Sequence, residues 1–169
     1  DQPFFCYMPI TPPHGIFDIP DSDPAWAIYK EKNWPEQAKR YAAMVTMVDR
    51  QVGDVLDLLK ELSLDENTIV FFLSDNGGPT RELTSSNLPL RGGKGMMYEG
   101  GLRIPFMAQW KGKIPPGQVY DKAVSSFDIY ATAVANSKGI KAPKQIEGVD
   151  LIPYLNGKDS GTPHKTLFW

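Results

Sequence analysis

The sequence has a single cysteine, Cys6, so no internal disulfide framework holds the fold together, and the redox compartment stays open. It has no basic excess: 18 Lys and Arg against 20 Asp and Glu give a net charge of -2. That balance gives no electrostatic reason to expect nucleic acid or a basic membrane patch. No run approaches the roughly 18 consecutive apolar residues of a spanning helix, and no charged start followed by an apolar run marks a signal peptide. Repeats, low-complexity tracts and internal linkers are also missing. What remains is 169 residues, 41% hydrophobic and 22% charged, enough for one ordered domain with a core.

The chain opens on Asp1 and runs at once into "PFFCYM", a strand-like apolar stretch with no lead-in, which reads as a cut. Pro9 to Pro35, rich in Pro, Asp and aromatics without sustained period, reads as a long ordered loop. A helix is expected after Pro35, over 36–62, because Tyr41, Val45, Val48, Val52, Val55, Leu56, Leu59 and Leu62 recur at helical spacing. "TIVFFLS", residues 68–74, is a continuous β-branched and aromatic run that suits a strand covered on both faces in a parallel sheet. "PFMAQW" reads as another strand, and "SSFDIYATAVANSKG" as a helix that begins near Ser126 and ends at Gly139.

Three places carry candidate chemistry. Asp75 and Asn76 follow the first strand, where ligands gather in open α/β sheets, and offer hard oxygen donors suited to Ca²⁺ or Mg²⁺. Read alone, the pair is a turn former. Lys94 lies among Gly92, Gly93 and Gly95, which remove side-chain bulk and let an anion approach. A P-loop is excluded, because Leu88 and Gly95 stand where that motif needs Gly and Ser or Thr. Alone, Lys94 reads as a solvated lysine on a turn. His14, after "CYMPITPP", is suited to protonating a leaving oxygen near neutral pH, although a lone loop histidine is more often surface decoration. His164 has only that surface reading.

Taken in order, "PFFCYMPITPPHG", "YAAMVTMVDRQVGDVLDLLKEL", "TIVFFLSDNGG", "LRGGKGMMYEGGLRIPF", "FDIY" and "GVDLIPYLNG" closely resemble the later part of the type I sulfatase catalytic domain, in the alkaline phosphatase superfamily. The resemblance covers nearly the whole chain. It implies an α/β sandwich of helices around a mostly parallel sheet, present over 1–169 as a fragment. It implies that Asp75 and Asn76 bind Ca²⁺, that Lys94 contacts the sulfate, and that His14 is the leaving-group acid. Glu99 and Arg103, in "YEGGLRIP", match a family segment and read as a framework pair.

The departure is as informative as the matches. The family's nucleophile is a formylglycine made in a Cys-x-Pro/Ala-Ser-x-Arg segment, and no such segment occurs here; Cys6, followed by "YMPI", reads as a buried strand thiol. The resemblance therefore implies a sulfuric ester hydrolase as the parent, acting on sulfated glycans or aryl sulfates, with this fragment inactive by itself and binding Ca²⁺ weakly or not at all. A phosphodiesterase or phosphonate hydrolase of the same superfamily, or a non-catalytic binder of sulfated glycans, are the alternatives. The resemblance also implies a periplasmic or secreted location, lysosomal in a eukaryote. A fragment that leaves a strand edge uncovered is expected to self-associate.

Overall fold

The proline-rich stretch between Pro9 and Pro35, expected to be loop throughout, contains a helix. Helix α1 spans Pro24–Tyr29; the Asp23 carboxylate caps it by accepting the Ala25 N–H at 2.8 Å, and Pro24 takes the first turn, where a missing N–H costs nothing. The structure, a computed structural model, describes residues 3–82 and 85–169. Asp1, where the sequence reads as cut, lies outside them. The chain divides into two units: one runs up to Glu61 and takes in Asp75–Ile104, the other consists of Leu62–Ser74 and Pro105–Trp169.

In the first unit the expected long helix forms as α2, Glu36–Glu61, directly after Pro35. It packs on α1 around Ile19, Ala25, Trp26, Ala43 and Met44, with Phe17, Tyr29 and Met47 at the margin. The buried stripe differs from the one expected. Val48 is buried, but Val45 and Leu62 are 44% and 56% exposed, and Ala43 and Met44 line the contact. Small Ala43, fully buried, permits the close approach that a larger apolar residue would block. Polar ties fix the pair. Arg40 lies 3.8 Å above the Trp26 ring and donates to the Ile19 carbonyl at 2.7 Å and to Asp21 at 2.8 Å. Arg50 holds both Asp23 oxygens at 3.1 and 2.9 Å, and this hydrogen bonding keeps the Asp23 carboxyl below the ordinary carboxylate range.

The expected strand at the start does not form among the described residues. Residues 3–10 carry no strand assignment, and Phe4, Phe5, Tyr7 and Met8 are exposed. Cys6 is exposed as well, which corrects the reading of a buried strand thiol. Without a neighbouring strand to form a ladder, side chains that alternate in direction meet solvent on both sides.

In the second unit β1, Val70–Leu73, and β2, Phe106–Gln109, form where expected. They pair antiparallel, from Val70 opposite Gln109 to Leu73 opposite Phe106, although the continuous apolar run of β1 had suggested a parallel neighbour. The Phe71 and Phe106 rings meet edge to face at 6.0 Å. Beyond β2, Trp110 Nε1 donates to the Glu66 carbonyl at 3.2 Å, and Lys111 pairs with Asp65 at 2.7 Å. No helix among the described residues is long and apolar enough to cross a membrane.

The helix expected from Ser126 is α4, Phe127–Ala135, which stops short of Gly139 as Asn136 turns back to hydrogen-bond Thr132. One of its two fully buried residues is an acid. Asp128, 0% exposed, accepts the Ser125 N–H at 2.7 Å, the Val149 N–H at 2.9 Å, and His164 Nε2 at 2.9 Å to each oxygen. His164 is therefore not surface decoration, as the sequence suggested: it closes the hydrogen bonding of a buried carboxylate. Beside it Thr132 Oγ1 accepts the Leu151 N–H at 3.0 Å, just before the short helix α5, Ile152–Leu155.

Asp128→Ala removes the acceptor of two backbone N–H groups and of the His164 ring. It is expected to lower unfolding free energy by about 3 kcal/mol in a denaturant titration, with Asp128→Asn, which keeps one acceptor oxygen, costing less.

Candidate functional site

The segments "DNGG" and "GGKG" meet in the first unit through their backbones. Gly77 N–H donates to the Gly101 carbonyl at 3.0 Å, Gly100 N–H to the Arg91 carbonyl at 2.8 Å, and Lys94 N–H to the Gly78 carbonyl at 3.1 Å. The approach is too close for side chains. A Cβ on Gly77 would collide with the Gly100 carbonyl, one on Gly100 with the Gly92 carbonyl, and one on Gly101 with the Met96 carbonyl. A Cβ on Gly93 would stand 2.6 Å from the Gly78 carbonyl oxygen. Gly93 thus serves backbone packing, where the sequence had suggested clearance for an anion. Gly92 and Gly95 have φ of +81° and +77°, turning the chain as other residues rarely do.

One side chain that the sequence reading passed over spans the layer. Asn87 Oδ1 accepts the Gly78 N–H at 3.1 Å, and its Nδ2 donates to the Gly78 carbonyl at 3.2 Å and the Gly92 carbonyl at 3.0 Å. Its only sequence signal is an Asn in the turn-rich "SSNLP".

The four expected site residues all lie in this unit. Asp75 is exposed and Asn76 half-buried, immediately before the Gly77–Gly78 backbone ties. Lys94 is exposed, with its own N–H bound to that loop, so the structure brings the acid, the amide and the lysine onto two hydrogen-bonded loops. Among the described residues neither Asp75 nor Lys94 has an ion-pair partner. His14 sits on an exposed turn, its N–H donating to the Thr11 carbonyl at 3.0 Å, and the hydrogen bonds joining the two loops do not involve it. Glu99 opens the short helix α3, Glu99–Leu102, and accepts the Arg103 N–H on its carbonyl at 2.7 Å, so the framework pair is joined by backbone. Nearby, Arg91 lies 4.0 Å over the Tyr98 ring.

A carboxylate and a carboxamide oxygen are donors that a hard cation takes, so Asp75 and Asn76 fit part of a Ca²⁺ site by their chemistry. Two such ligands fall short of the roughly six to eight oxygens Ca²⁺ prefers. Among the described residues no group of three or more His, Cys, Asp and Glu side chains is placed to hold a metal.

The sulfatase family model matches residues 1–138. The chain is 38% identical to the uncharacterized sulfatase YdeN of Escherichia coli (strain K12), an alignment covering 100% of this chain and 30% of that protein. It is 35% identical to human steryl-sulfatase, over 84% of this chain and 26% of that one, and 34% identical to canine N-acetylgalactosamine-6-sulfatase, over 92% and 29%. The chain therefore spans about 30% of the length of these relatives. Among solved structures, Ps i-CgsB in complex with k-i-k-neocarrahexaose matches with a TM-score of 0.81 at 33% identity, over 91% of this chain and 33% of that one. The PsFucS1 sulfatase from Pseudoalteromonas sp. matches with a TM-score of 0.62 at 36% identity, over 75% and 26%. The fold is the α/β fold of these enzymes.

The glycine layer separates two kinds of substitution. Gly95→Ala meets open space and is expected to cost only the left-handed backbone penalty, about 1 kcal/mol. Gly77→Ala must displace the Gly100 carbonyl and is expected to cost on the order of 3 kcal/mol or more. Denaturant titration of both variants reads the difference.

Proposed function

The chain belongs to the sulfatase family, and from that premise we propose that it carries the cation-binding and sulfate-binding part of the site of a sulfuric ester hydrolase acting on sulfated glycans or aryl sulfates. One observation supports this most: two charged groups without ion-pair partners among the described residues, Asp75 and Lys94, stand on loops that are hydrogen-bonded to each other.

In this reading the Lys94 ammonium lies against the sulfuryl oxygens and offsets the charge that gathers there as the ester S–O bond breaks. Gly95 beside it leaves room for the anion, with nothing within 4 Å of where its Cβ would be. His14 holds a proton for the departing alcohol oxygen, and its exposed turn leaves the ring accessible to substrate. Asp75 and Asn76 would hold Ca²⁺. When bound, that cation supplies further positive charge at the sulfate oxygens. Overall one water is consumed, giving an alcohol and sulfate. The 169 residues contain no Cys-x-Pro/Ala-Ser-x-Arg segment, so the nucleophile is assigned to the part of the relatives' length that this chain does not span. A periplasmic or secreted location, or a lysosomal one in a eukaryote, goes with this reading by family resemblance.

Two measurements follow. Lys94→Ala in the full-length enzyme is expected to lower kcat/KM for a sulfate ester by about a hundredfold or more, while the present chain alone shows no turnover above buffer. Unchanged turnover in the variant, or hydrolysis by the chain alone that survives repurification, contradicts the proposal. The exposed Phe4, Phe5, Tyr7 and Met8 support self-association of the chain. Light scattering over a dilution series is expected to show mass rising with concentration, and a monomeric mass throughout contradicts it.

A further inference from the structure

The proposed site is built from two loops that are separate in sequence, one ending at Gly78 and one beginning at Gly92, and Asn87 reaches both. We infer that Asn87 is the positioning residue of this site: its carboxamide sets the loop of Asp75 and Asn76 against the loop of Lys94, so that cation ligands and ammonium address one bound anion. The inference rests on the sulfate-site reading of Asp75, Asn76 and Lys94 given above.

The chemistry of the side chain carries the argument. A carboxamide has one acceptor oxygen and two N–H donors. Here the oxygen takes the Gly78 N–H at 3.1 Å, and the nitrogen serves the Gly78 and Gly92 carbonyls at 3.2 and 3.0 Å. The Gly78 carbonyl also accepts the Lys94 N–H at 3.1 Å, so the same peptide group ties Asn87 to the lysine loop.

The glycines make room for this group. A Cβ at Gly78 would lie 2.9 Å from Asn87 Oδ1, and one at Gly93 would lie 3.0 Å from Nδ2. Other residues fail for definite reasons. Aspartate keeps the acceptor but turns a carboxylate oxygen toward two carbonyls. Alanine takes their side-chain partner from the Gly78 N–H and the Gly92 carbonyl, while the Gly78 carbonyl keeps the Thr80 and Lys94 N–H groups, and glutamine is one methylene too long for the gap. Since misplacing a binding group by about 1 Å can cost about a hundredfold in rate, a link of this kind matters to the site without touching substrate.

The test uses the whole 169-residue chain, with amide hydrogen exchange followed by NMR and inorganic sulfate as the probe. In Asn87→Ala the Gly78 and Lys94 amides are expected to exchange at least tenfold faster, while amides of α2 keep their protection. In Asn87→Asp the Gly78 amide is expected to stay protected, because an acceptor remains, and the Lys94 amide to lose protection. That split differs from the uniform loss produced by a purely structural weakening. Sulfate-dependent shifts at Lys94 are expected to need at least tenfold more sulfate in both variants. Unchanged exchange at Lys94 in both variants, or loss shared equally by α2, overturns the inference. Faster exchange in the variants, together with no sulfate response at Lys94 in the unaltered chain, supports the link between the loops and contradicts the sulfate reading, so the two failures are distinguishable.

Discussion

Around Gly77, Gly93, Gly100 and Gly101 the backbone packs on backbone with no space for one additional carbon. The candidate site depends on this constraint. At these glycines peptide groups of the two loops meet directly and hydrogen-bond one another, and the Asn87 side chain adds its own bonds to both loops. Asp75 and Lys94, both exposed, and the half-buried Asn76 stand beside this layer. Hydrogen bonds between peptide groups tie the two loops together, and support of that kind suits the role proposed for the residues they carry.

Several charged groups brace the fold. Arg40, Arg50, Lys111 and His164 are each committed to carboxylates that brace helices or loops. In those positions the acid and the base serve each other, and the Asp65 carboxyl is held low by its hydrogen bond to Lys111. Asp75 and Lys94 have no such partner among the described residues. Lys94 is exposed, and its backbone N–H is bound to the Gly78 carbonyl, on the loop that carries Asp75 and Asn76.

Legibility in the sequence followed the range of the signal. Helix α2, both strands and the start of α4 were readable because their apolar patterns are local and run for four residues or more. The "DNGG" and "GGKG" segments were readable because their chemistry lies in consecutive residues. Helix α1 was missed although Asp23 and Pro24 announce it, because six helical residues were hidden in a proline-rich stretch. Asn87 and the Asp128–His164 pair were not readable at all: each acts across a distance in sequence, 36 residues in the latter case, that no local pattern records. Cys6 was misjudged for a related reason, since burial of a strand-like run requires a neighbour, and the sequence does not say whether one is present.

The most direct test of this account is a crystal structure of the full-length protein grown with Ca²⁺ and sulfate. The account predicts a cation about 2.3–2.6 Å from oxygens of both Asp75 and Asn76, and a sulfate in hydrogen-bond contact with Lys94 Nζ. A cation bound elsewhere, or a sulfate held without Lys94, would contradict it.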